Sequence, residues 1–343
     1  MPPSLAALPT TLTFAGALAA AAAAMPAPPP GAAPALVRIE LRSDAAATER
    51  RQRMDRVHNW GYWLSSIVID AVAAAPHDLL VIDSEVSANR SFEREYTPEE
   101  VARMQRWPDG SRRILLAYLS IGEAEQYRPY WQADWSDPAK RPAWLGGENH
   151  RWVGNFAVQY WDPGWQRLIF GAPEAYLDRI MAQGFDGVYL DRADAFFEWR
   201  KLHPSAQADM ASFLARLSDY ARKHNPQFLI VMQNAEELLE DAQVLDAIDG
   251  IAKEDLLYGI RHAEEPNSPE DIAWSVQLLR SAQRAGRKVF VVEYLKDPDK
   301  IASATQRISA EGFVPYFAPR RLDCLNPPVD ASALGNLLEQ LCR

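Results

Sequence analysis

The stretch GFDGVYLDRADAF, residues 184–196, holds the features that decide the fold. Gly184 suits the left-handed end of a helix, an apolar run without alternation follows it, and the run ends in Asp191. Short apolar runs of this kind are typical of parallel strands that are buried on both faces. The segment therefore predicts a helix end, a buried parallel strand and a carboxylate at the C-terminal end of that strand.

The same pattern of helix, turn and strand recurs along the chain from about residue 60. Gly286 and Gly312 repeat the position of Gly184, and helix starts are marked by TPEE (97–100), DPGW (162–165), SPED (268–271) and DPDK (297–300). The predicted strands are WGYWL (60–64), LLVID (79–83), ILLAYLS (114–120), DGVYLD (186–191), FLIVMQN (228–234), DGIAKED (249–255), KVFVVEY (288–294) and FVPYF (313–317). Eight strands alternating with helices predict an α/β protein with a (β/α)8 TIM barrel. A doubly wound open sheet is the alternative, but no G-x-G-x-x-G follows any predicted strand.

The predicted barrel forms a single domain, residues 38–343, with an insertion between its third and fourth strands. The insertion, residues 124–161, is rich in aromatic residues and contains Trp131, Trp135, Trp144, Trp152 and Trp161. We expect part of this aromatic surface to lie around the mouth of the barrel.

Residues 1–37 differ in composition from the rest and contain no charged side chain. An alanine-rich apolar run followed by PAPPPGAAPA is typical of a secretory signal with small-residue cleavage sites, although no Lys or Arg precedes the run. We interpret this segment as a signal peptide or a disordered Ala/Pro-rich leader, and we expect a secreted or periplasmic protein. In that compartment Cys324 and Cys342 are expected to pair, and two free thiols are the alternative.

The net charge and the possible metal ligands in the sequence indicate which substrates and cofactors the protein can bind. The formal net charge of −10 argues against nucleic acid and anionic membranes and is compatible with a cationic substrate. After the leader, no segment is long and apolar enough to span a membrane. The six histidines are scattered without ligand spacing, so we expect neither a metal nor another cofactor.

Polar side chains follow most of the predicted strands at the end where barrel enzymes place their active sites. They are Asp83, Glu123, Asp191, Asn234, Glu254, Glu293 and Tyr294. Any one of these acids could cap a helix or pair with a nearby arginine such as Arg192. That interpretation does not explain why so many acids lie together at one mouth of the predicted barrel.

A ring of acids with aromatic neighbours favours a carbohydrate, and glycosidic cleavage needs two carboxyl groups. Strands four and six are next-but-one neighbours, so Asp191 and Glu254 can face each other across a sugar, and we predict them as the catalytic pair. Glu123 is the strongest rival of Glu254. The predicted substrate-binding residues are Asp83, Glu123, Asn234, Tyr294, Tyr118, Trp63 and Asp194.

Several stretches together make the chain similar to a known family over about residues 56–320. They are WGYWL (60–64), LLVIDSE (79–85), AYLSIGEAEQYRPYW (117–131), YWDPGWQ (160–166), GFDGVYLDRADAF (184–196), VMQNAEEL (231–238) and GIAKEDLLYG (250–259). In these motifs the chain resembles glycoside hydrolase family 114, the endo-α-1,4-polygalactosaminidase-like barrels.

The resemblance implies an exported (β/α)8 barrel that hydrolyses α-1,4-linked galactosamine-containing polysaccharide. It implies that the catalytic acids are an Asp ending strand four and a Glu ending strand six, which here are Asp191 and Glu254. It also places Asp83, Glu123 and Asn234 around the sugar.

Two other functions remain open at this point. A metal-dependent barrel lyase would bind magnesium through Asp191, Asn234 and Glu254. A non-catalytic glycan-binding barrel would keep the aromatic mouth without turnover.

Overall fold

The computed structural model describes residues 35–88, 91–107 and 109–329. Almost all of the predicted leader therefore lies outside the described residues. Cys324 is disulfide-bonded, and Cys342, which the sequence predicts as its partner, lies outside the described residues. The chain separates into two units, residues 1–41 and 42–343, and the second unit contains the sheet described next.

Eight parallel strands form the sheet in the order in which they occur along the chain. They are β1 (Trp60–Trp63), β2 (Leu79–Ile82), β3 (Ile114–Ser120), β4 (Gly187–Asp191), β5 (Leu229–Gln233), β6 (Gly250–Glu254), β7 (Lys288–Glu293) and β8 (Val314–Phe317). The first and last strands meet where the indole N–H of Trp60 donates to the carbonyl of Val314, at 3.1 Å. This nearly closed barrel confirms the predicted (β/α)8 fold, including all eight strands, and excludes the open sheet.

Helices surround the barrel, and several begin at the caps that the sequence marks. The helices are α1 (Ala35–Asp55), α2 (Ile69–Ala74), α3 (Pro98–Met104), α4 (Pro163–Ile169), α5 (Tyr176–Gln183), α6 (Phe196–Trp199), α7 (Ala206–His224), α8 (Ala242–Ala247), α9 (Pro269–Arg284) and α10 (Pro298–Ala310). Short 3-10 turns occupy Ala133–Ser136, Ala193–Ala195 and Glu236–Glu240. Thr97 forms a capping box with Glu100 at the start of α3, and Gly184 ends α5 with φ 89°. In the described part of the chain no helix is both long and apolar enough to cross a bilayer.

Large aromatic side chains fill the interior of the barrel. The Trp60 ring lies 5.2 Å from the Phe290 ring and 5.6 Å from the Tyr316 ring, and the Tyr62 and Tyr189 rings are 4.9 Å apart, measured between centroids. Each of these rings is at most 1% exposed. Because the aromatic layer fills the interior, polar side chains on the inner face become accessible only beyond it, at the strand ends.

Two small antiparallel sheets extend the barrel at its C-terminal end. One is the hairpin of Glu85–Ala88 and Ser91–Glu95, and the other, in the insertion, pairs Glu123–Glu125 and Leu145–Glu148 with Asn155–Val158.

Most of the tryptophans of the insertion pack against one another. Trp131 contacts Trp135, Trp135 contacts Trp144, and Trp144 contacts Trp165, with ring centroids 5.2–5.3 Å apart. Trp135 and Trp144 are 5% and 6% exposed. The expectation of an aromatic surface is wrong for these two rings, because the insertion uses them as its own core.

Candidate active site

Asp191 and Glu254 lie on the inner face of the barrel at the ends of β4 and β6. The strand register places Ser120 beside Asp191 and Val292 beside Glu254, and β5 between them ends in Gln233 on the same face. The predicted pair therefore projects into the mouth from next-but-one strands. Both side chains are partly exposed.

Glu254 accepts hydrogen bonds from three neutral donors. The amides of Gln233 and Asn234 donate to Oε2 at 2.5 Å and 3.0 Å, and the hydroxyl of Tyr294 donates to Oε1. The backbone N–H of Glu254 in turn donates to Oδ1 of Asn234 at 3.0 Å. This set of bonds fixes the orientation of the carboxylate without a cation.

Asp191 accepts one hydrogen bond on each oxygen. The hydroxyl of Tyr118 donates to Oδ2 at 2.6 Å, and the backbone N–H of Arg192 donates to Oδ1 at 2.7 Å. Burial and then the negative charge of Glu254 raise the pKa of Asp191 to about 7, and the Tyr118 bond and the Arg192 charge oppose this shift. A pKa of about 7 means that Asp191 is about half protonated near neutral pH, so this carboxyl can hold a proton at a pH at which an ordinary aspartate cannot.

The charged side chains around Asp191 and Glu254 form ion pairs with one another and not with these two carboxyls. Arg192 forms ion pairs with Glu123 and Asp194, each at 3.2 Å, and with Glu198. Among the ion pairs of the described residues, none includes Asp191 or Glu254. The two catalytic candidates are therefore the acids of the mouth that lack a cationic partner.

Three successive strands turn sharply just after their site residues. Arg192, Asn234 and Asp255 have φ values of 61°, 53° and 53°, in the left-handed region that residues other than glycine seldom adopt. Such conformations cost of order 1–3 kcal/mol each and occur preferentially at functional sites. Sequence reasoning missed these turns because none of the three positions carries a glycine.

Asp83 belongs to a separate buried group. Its Oδ1 receives a hydrogen bond from Arg128 at 2.7 Å, and Arg128 also bonds Glu125 at 2.7 Å and Glu85 at 3.0 Å. We call these four residues the Arg128 cluster. The Arg128 guanidinium lies between the rings of Tyr118, Tyr127 and Tyr176, 4.8–5.8 Å from their centroids. Burial raises the pKa of Glu85 to about 7, although Arg128 opposes this shift.

Three acids or aromatics predicted at the mouth are placed elsewhere. Glu123, the rival of Glu254, is 1% exposed and accepts from Asn149 and Asn155 at 2.8 Å and 3.2 Å. Trp63 is 1% exposed, lies on the face of β1 opposite to Tyr62, and donates to the Ser65 carbonyl. Glu293 lies on the outer face of β7 because side chains alternate along a strand, and its Oε1 accepts from the Leu257 backbone at 2.6 Å. Burial raises the pKa of Glu293 to about 8.

Other residues lie close to Asp191 and Glu254, and two of them were not predicted from the sequence. Tyr118, Asn234 and Tyr294 bond the two carboxyls, whereas Asp194 bonds Arg192. Gln233 was missed, although its position before Asn234 on the inner face of a strand would have indicated it. Arg320 was also missed; it pairs with Asp255 at 2.8 Å and lies over the Tyr294 ring at 4.3 Å.

A cavity of about 520 Å³ lies at the opposite, N-terminal end of the barrel. Its walls include Arg53, Asp78, Arg113 and Asp186. The carboxylate of Asp186 already accepts hydrogen bonds from Arg53 at 2.5 Å and from the backbone N–H of Leu115 at 3.0 Å. Because barrel enzymes carry their chemistry at the other end, we assign this cavity no catalytic role. Among the described residues no three His, Cys, Asp or Glu side chains are grouped as metal ligands.

Two carboxyls on the inner face of a (β/α)8 barrel, at the ends of next-but-one strands, are the arrangement that a barrel glycosidase requires. Residues 42–333 match the model of glycoside hydrolase family GH114, so the chain belongs to that family and is a glycoside hydrolase that acts on a carbohydrate. This finding confirms the resemblance seen in the sequence.

The chain is also similar to proteins of other organisms and to a solved structure. An uncharacterized protein of Deinococcus radiodurans is 37% identical over 306 residues, which is 87% of this chain and 92% of the relative. An uncharacterized protein of Methanocaldococcus jannaschii is 37% identical over 284 residues, 78% of each chain. The glycoside hydrolase domain of PelA from Pseudomonas aeruginosa has a TM-score of 0.58 at 18% identity and covers 78% of this chain and 96% of its own, which shows the shared fold.

Proposed function

We propose that this glycoside hydrolase cleaves α-1,4-linked galactosamine-containing polysaccharide and that Asp191 and Glu254 are its two catalytic carboxyls. The observation that supports the pair is their position on next-but-one strands, each held by hydrogen bonds and neither neutralised by an ion pair.

Cleavage of a glycosidic bond needs one carboxyl that gives a proton to the leaving oxygen and one carboxylate that attacks the anomeric carbon or activates a water. Asp191, whose pKa is raised to about 7, can hold a proton near neutral pH and so meets the requirement for the acid, and Glu254 is available as the second carboxyl. As the C–O bond breaks, the proton passes to the leaving oxygen, and the remaining carboxylate stabilises the positive charge that develops on the sugar ring. The donors on Asp191 and Glu254 keep both groups oriented during this step.

A cationic polymer is supported by the surplus of acid at the mouth. Arg192 is shared by three carboxylates, and Arg128 is shared by three others. Pairing therefore reduces the negative field without cancelling it, and a cleft concentrates such a field. A polymer with free amino groups is attracted by this field, whereas a neutral polymer is not.

The substrate is tested with a panel of galactosamine-rich, chitosan-type and neutral glycans, with mass spectrometry of the products. We expect cleavage of galactosamine-rich chains, with a higher kcat/KM for deacetylated than for acetylated oligosaccharides. The preference should shrink at high salt, because exposed charges are screened over about 8 Å at physiological ionic strength. A kcat/KM ratio near one at low salt would contradict the cationic substrate, and binding without any cleavage would favour the non-catalytic alternative.

A magnesium-dependent lyase is less well supported by the arrangement of Asn234. Its Oδ1 accepts the backbone N–H of Glu254, and its amide N–H donates to the Glu254 carboxylate. The amide oxygen that magnesium would need is thus already engaged. We propose metal-independent hydrolysis; activity that is lost in EDTA and restored by magnesium would contradict it.

Export is proposed from the composition of residues 1–37. N-terminal sequencing of the protein from the culture medium or periplasm should give a start near residues 25–37. A protein that keeps Met1 and is found in the cytoplasm would contradict this proposal.

A further inference from the structure

One turn of the insertion exposes large apolar side chains, in contrast to the rest of that segment. Trp152 is 46% exposed and Val153 is 71% exposed, whereas Trp135 and Trp144 are buried. We call residues 149–155 the rim turn. Single exposed apolar side chains are common, as Trp274 on α9 shows, so a role for Trp152 depends on where the rim turn lies and not on exposure alone.

The rim turn is held firmly in place. The backbone N–H of Asn149 donates to the Asn155 carbonyl at 2.7 Å, and the N–H of Gly154 donates to Oε1 of Glu148 at 2.8 Å. The carbonyl of Gly154 accepts from the Gln126 backbone at 2.7 Å. Trp152 is therefore presented on an ordered support, which reduces the entropy that a ligand must overcome on binding to it.

The same turn is connected to the catalytic strand end. The side-chain amides of Asn149 and Asn155 donate to the two oxygens of Glu123, and Glu123 pairs with Arg192 at 3.2 Å. Arg192 directly follows Asp191 and donates its backbone N–H to that carboxylate. Two side-chain contacts and one backbone hydrogen bond thus connect the rim turn to Asp191, which makes this turn part of the structure that surrounds the mouth.

We propose that Trp152 forms an outer sugar subsite, on which a pyranose ring of the same polysaccharide stacks at some distance from the bond that is cleaved. A pyranose presents a face of C–H groups that packs well against an indole ring, and this contact needs no charge on the sugar. The charged residues at the turn are the exposed Arg151 and the exposed Glu148, whose Oε1 accepts from Gly154, so the turn lacks the surplus of acid that the mouth has. The inference rests on the proposed function, since it needs a polymer that runs through the site.

The test uses Trp152→Ala and a matched control, Trp274→Ala. Trp274 is 45% exposed and lies on α9, so the control removes an equally exposed indole from the outer helical layer. The probes are an α-1,4-linked galactosamine polymer and the shortest oligomer of it that the wild-type enzyme cleaves. Thermal unfolding of all three proteins checks that each variant folds.

We expect Trp152→Ala to lower kcat/KM on the polymer by about 3–10-fold, as the loss of one stacking contact implies. The rate on the shortest oligomer should stay unchanged, because that oligomer does not reach the rim turn. The polymer defect should be equal at low and high salt, since an apolar contact is not screened. Trp274→Ala should behave as wild type on both probes.

Failure of the outer subsite and failure of the proposed function would give different results. Wild-type polymer rates in Trp152→Ala, or equal losses on polymer and oligomer, would overturn the outer subsite while leaving the proposed function intact. A similar polymer defect in Trp274→Ala would also overturn it. A wild-type enzyme that cleaves neither the polymer nor any oligomer of it would overturn the proposed function itself, and with it the subsite for this polymer.

Discussion

The Arg128 cluster and the Asp191–Glu254 pair lie at the same end of the barrel, yet they differ in what compensates their negative charge. Asp83, Glu85 and Glu125 surround a buried guanidinium, whereas the proposed catalytic pair is held by neutral donors and a backbone N–H. Buried acids with a cation are typical of structural ion-pair networks. Burial raises the pKa of Glu85 as well as that of Asp191, so a raised pKa alone does not separate the two groups; what separates them is that no ion pair among the described residues includes Asp191 or Glu254. An acidic residue at a strand end therefore indicates a catalytic role only when its ion-pair and hydrogen-bond partners are also known.

The largest effect is expected from removing a carboxyl of the pair. Asp191→Asn should lower kcat by at least about 10²–10⁴-fold, because the variant can neither donate a proton nor carry the charge that the reaction needs. Steady-state kinetics and a circular dichroism spectrum measure activity and folding together. Wild-type turnover in this variant would contradict the proposed catalytic role of Asp191.

A stability effect of comparable size is expected in the other group. Arg128→Met leaves three buried carboxylates without their cation and should lower the free energy of unfolding by about 3–5 kcal/mol. Urea titration measures this change. Arg94→Met is the control, because Arg94 pairs with Glu100 at the surface and should cost at most about 1 kcal/mol. Equal losses in the two variants would show that the Arg128 cluster is no more than a surface-like network.

A smaller effect should distinguish Asp191 from Asp83 by the pH dependence of the free energy of unfolding. The pKa of Asp191 is raised to about 7, so the folded state binds its proton more tightly than the unfolded state, and stability from this group is lost as pH rises from about 4 to about 7. Asp191→Asn avoids this loss and should be more stable than wild type at pH 8 by about 1–3 kcal/mol, but not at pH 4. Asp83→Asn should instead be less stable than wild type at pH 8, because Arg128 loses a partner. Urea titrations at both pH values test the two signs, and a destabilised Asp191→Asn at pH 8 would contradict the account.

The fold was predictable because its signals are local. The run DGVYLD and the other predicted strands are short and apolar. Capping residues, such as Thr97 with Glu100 at the start of α3 and Gly184 at the end of α5, lie directly at the ends of their helices. The positions of Asp191, Glu254 and Tyr294 followed from the same pattern, since strand ends of a parallel barrel meet at one mouth.

The pairing of the acids was not predictable because it depends on contacts between distant parts of the chain. Arg128 is 45 positions from Asp83, and Arg320 is 65 positions from Asp255. A single sequence does not show which cation reaches which acid. Likewise, Trp135 and Trp152 belong to one aromatic segment, and only the packing of the insertion makes the first buried and the second exposed.

The most direct test of the central claim compares Glu254→Gln with Glu123→Gln, the same substitution in an acid without a cation and in one paired with Arg192. Turnover of a galactosamine-rich glycan and thermal unfolding are measured on both variants and on wild type. We predict that Glu254→Gln loses turnover by at least about 10²-fold with Tm unchanged or raised, whereas Glu123→Gln keeps measurable turnover and has a lowered Tm. Wild-type turnover in Glu254→Gln together with its loss in Glu123→Gln would contradict the account and make the cation-paired acid the catalytic one.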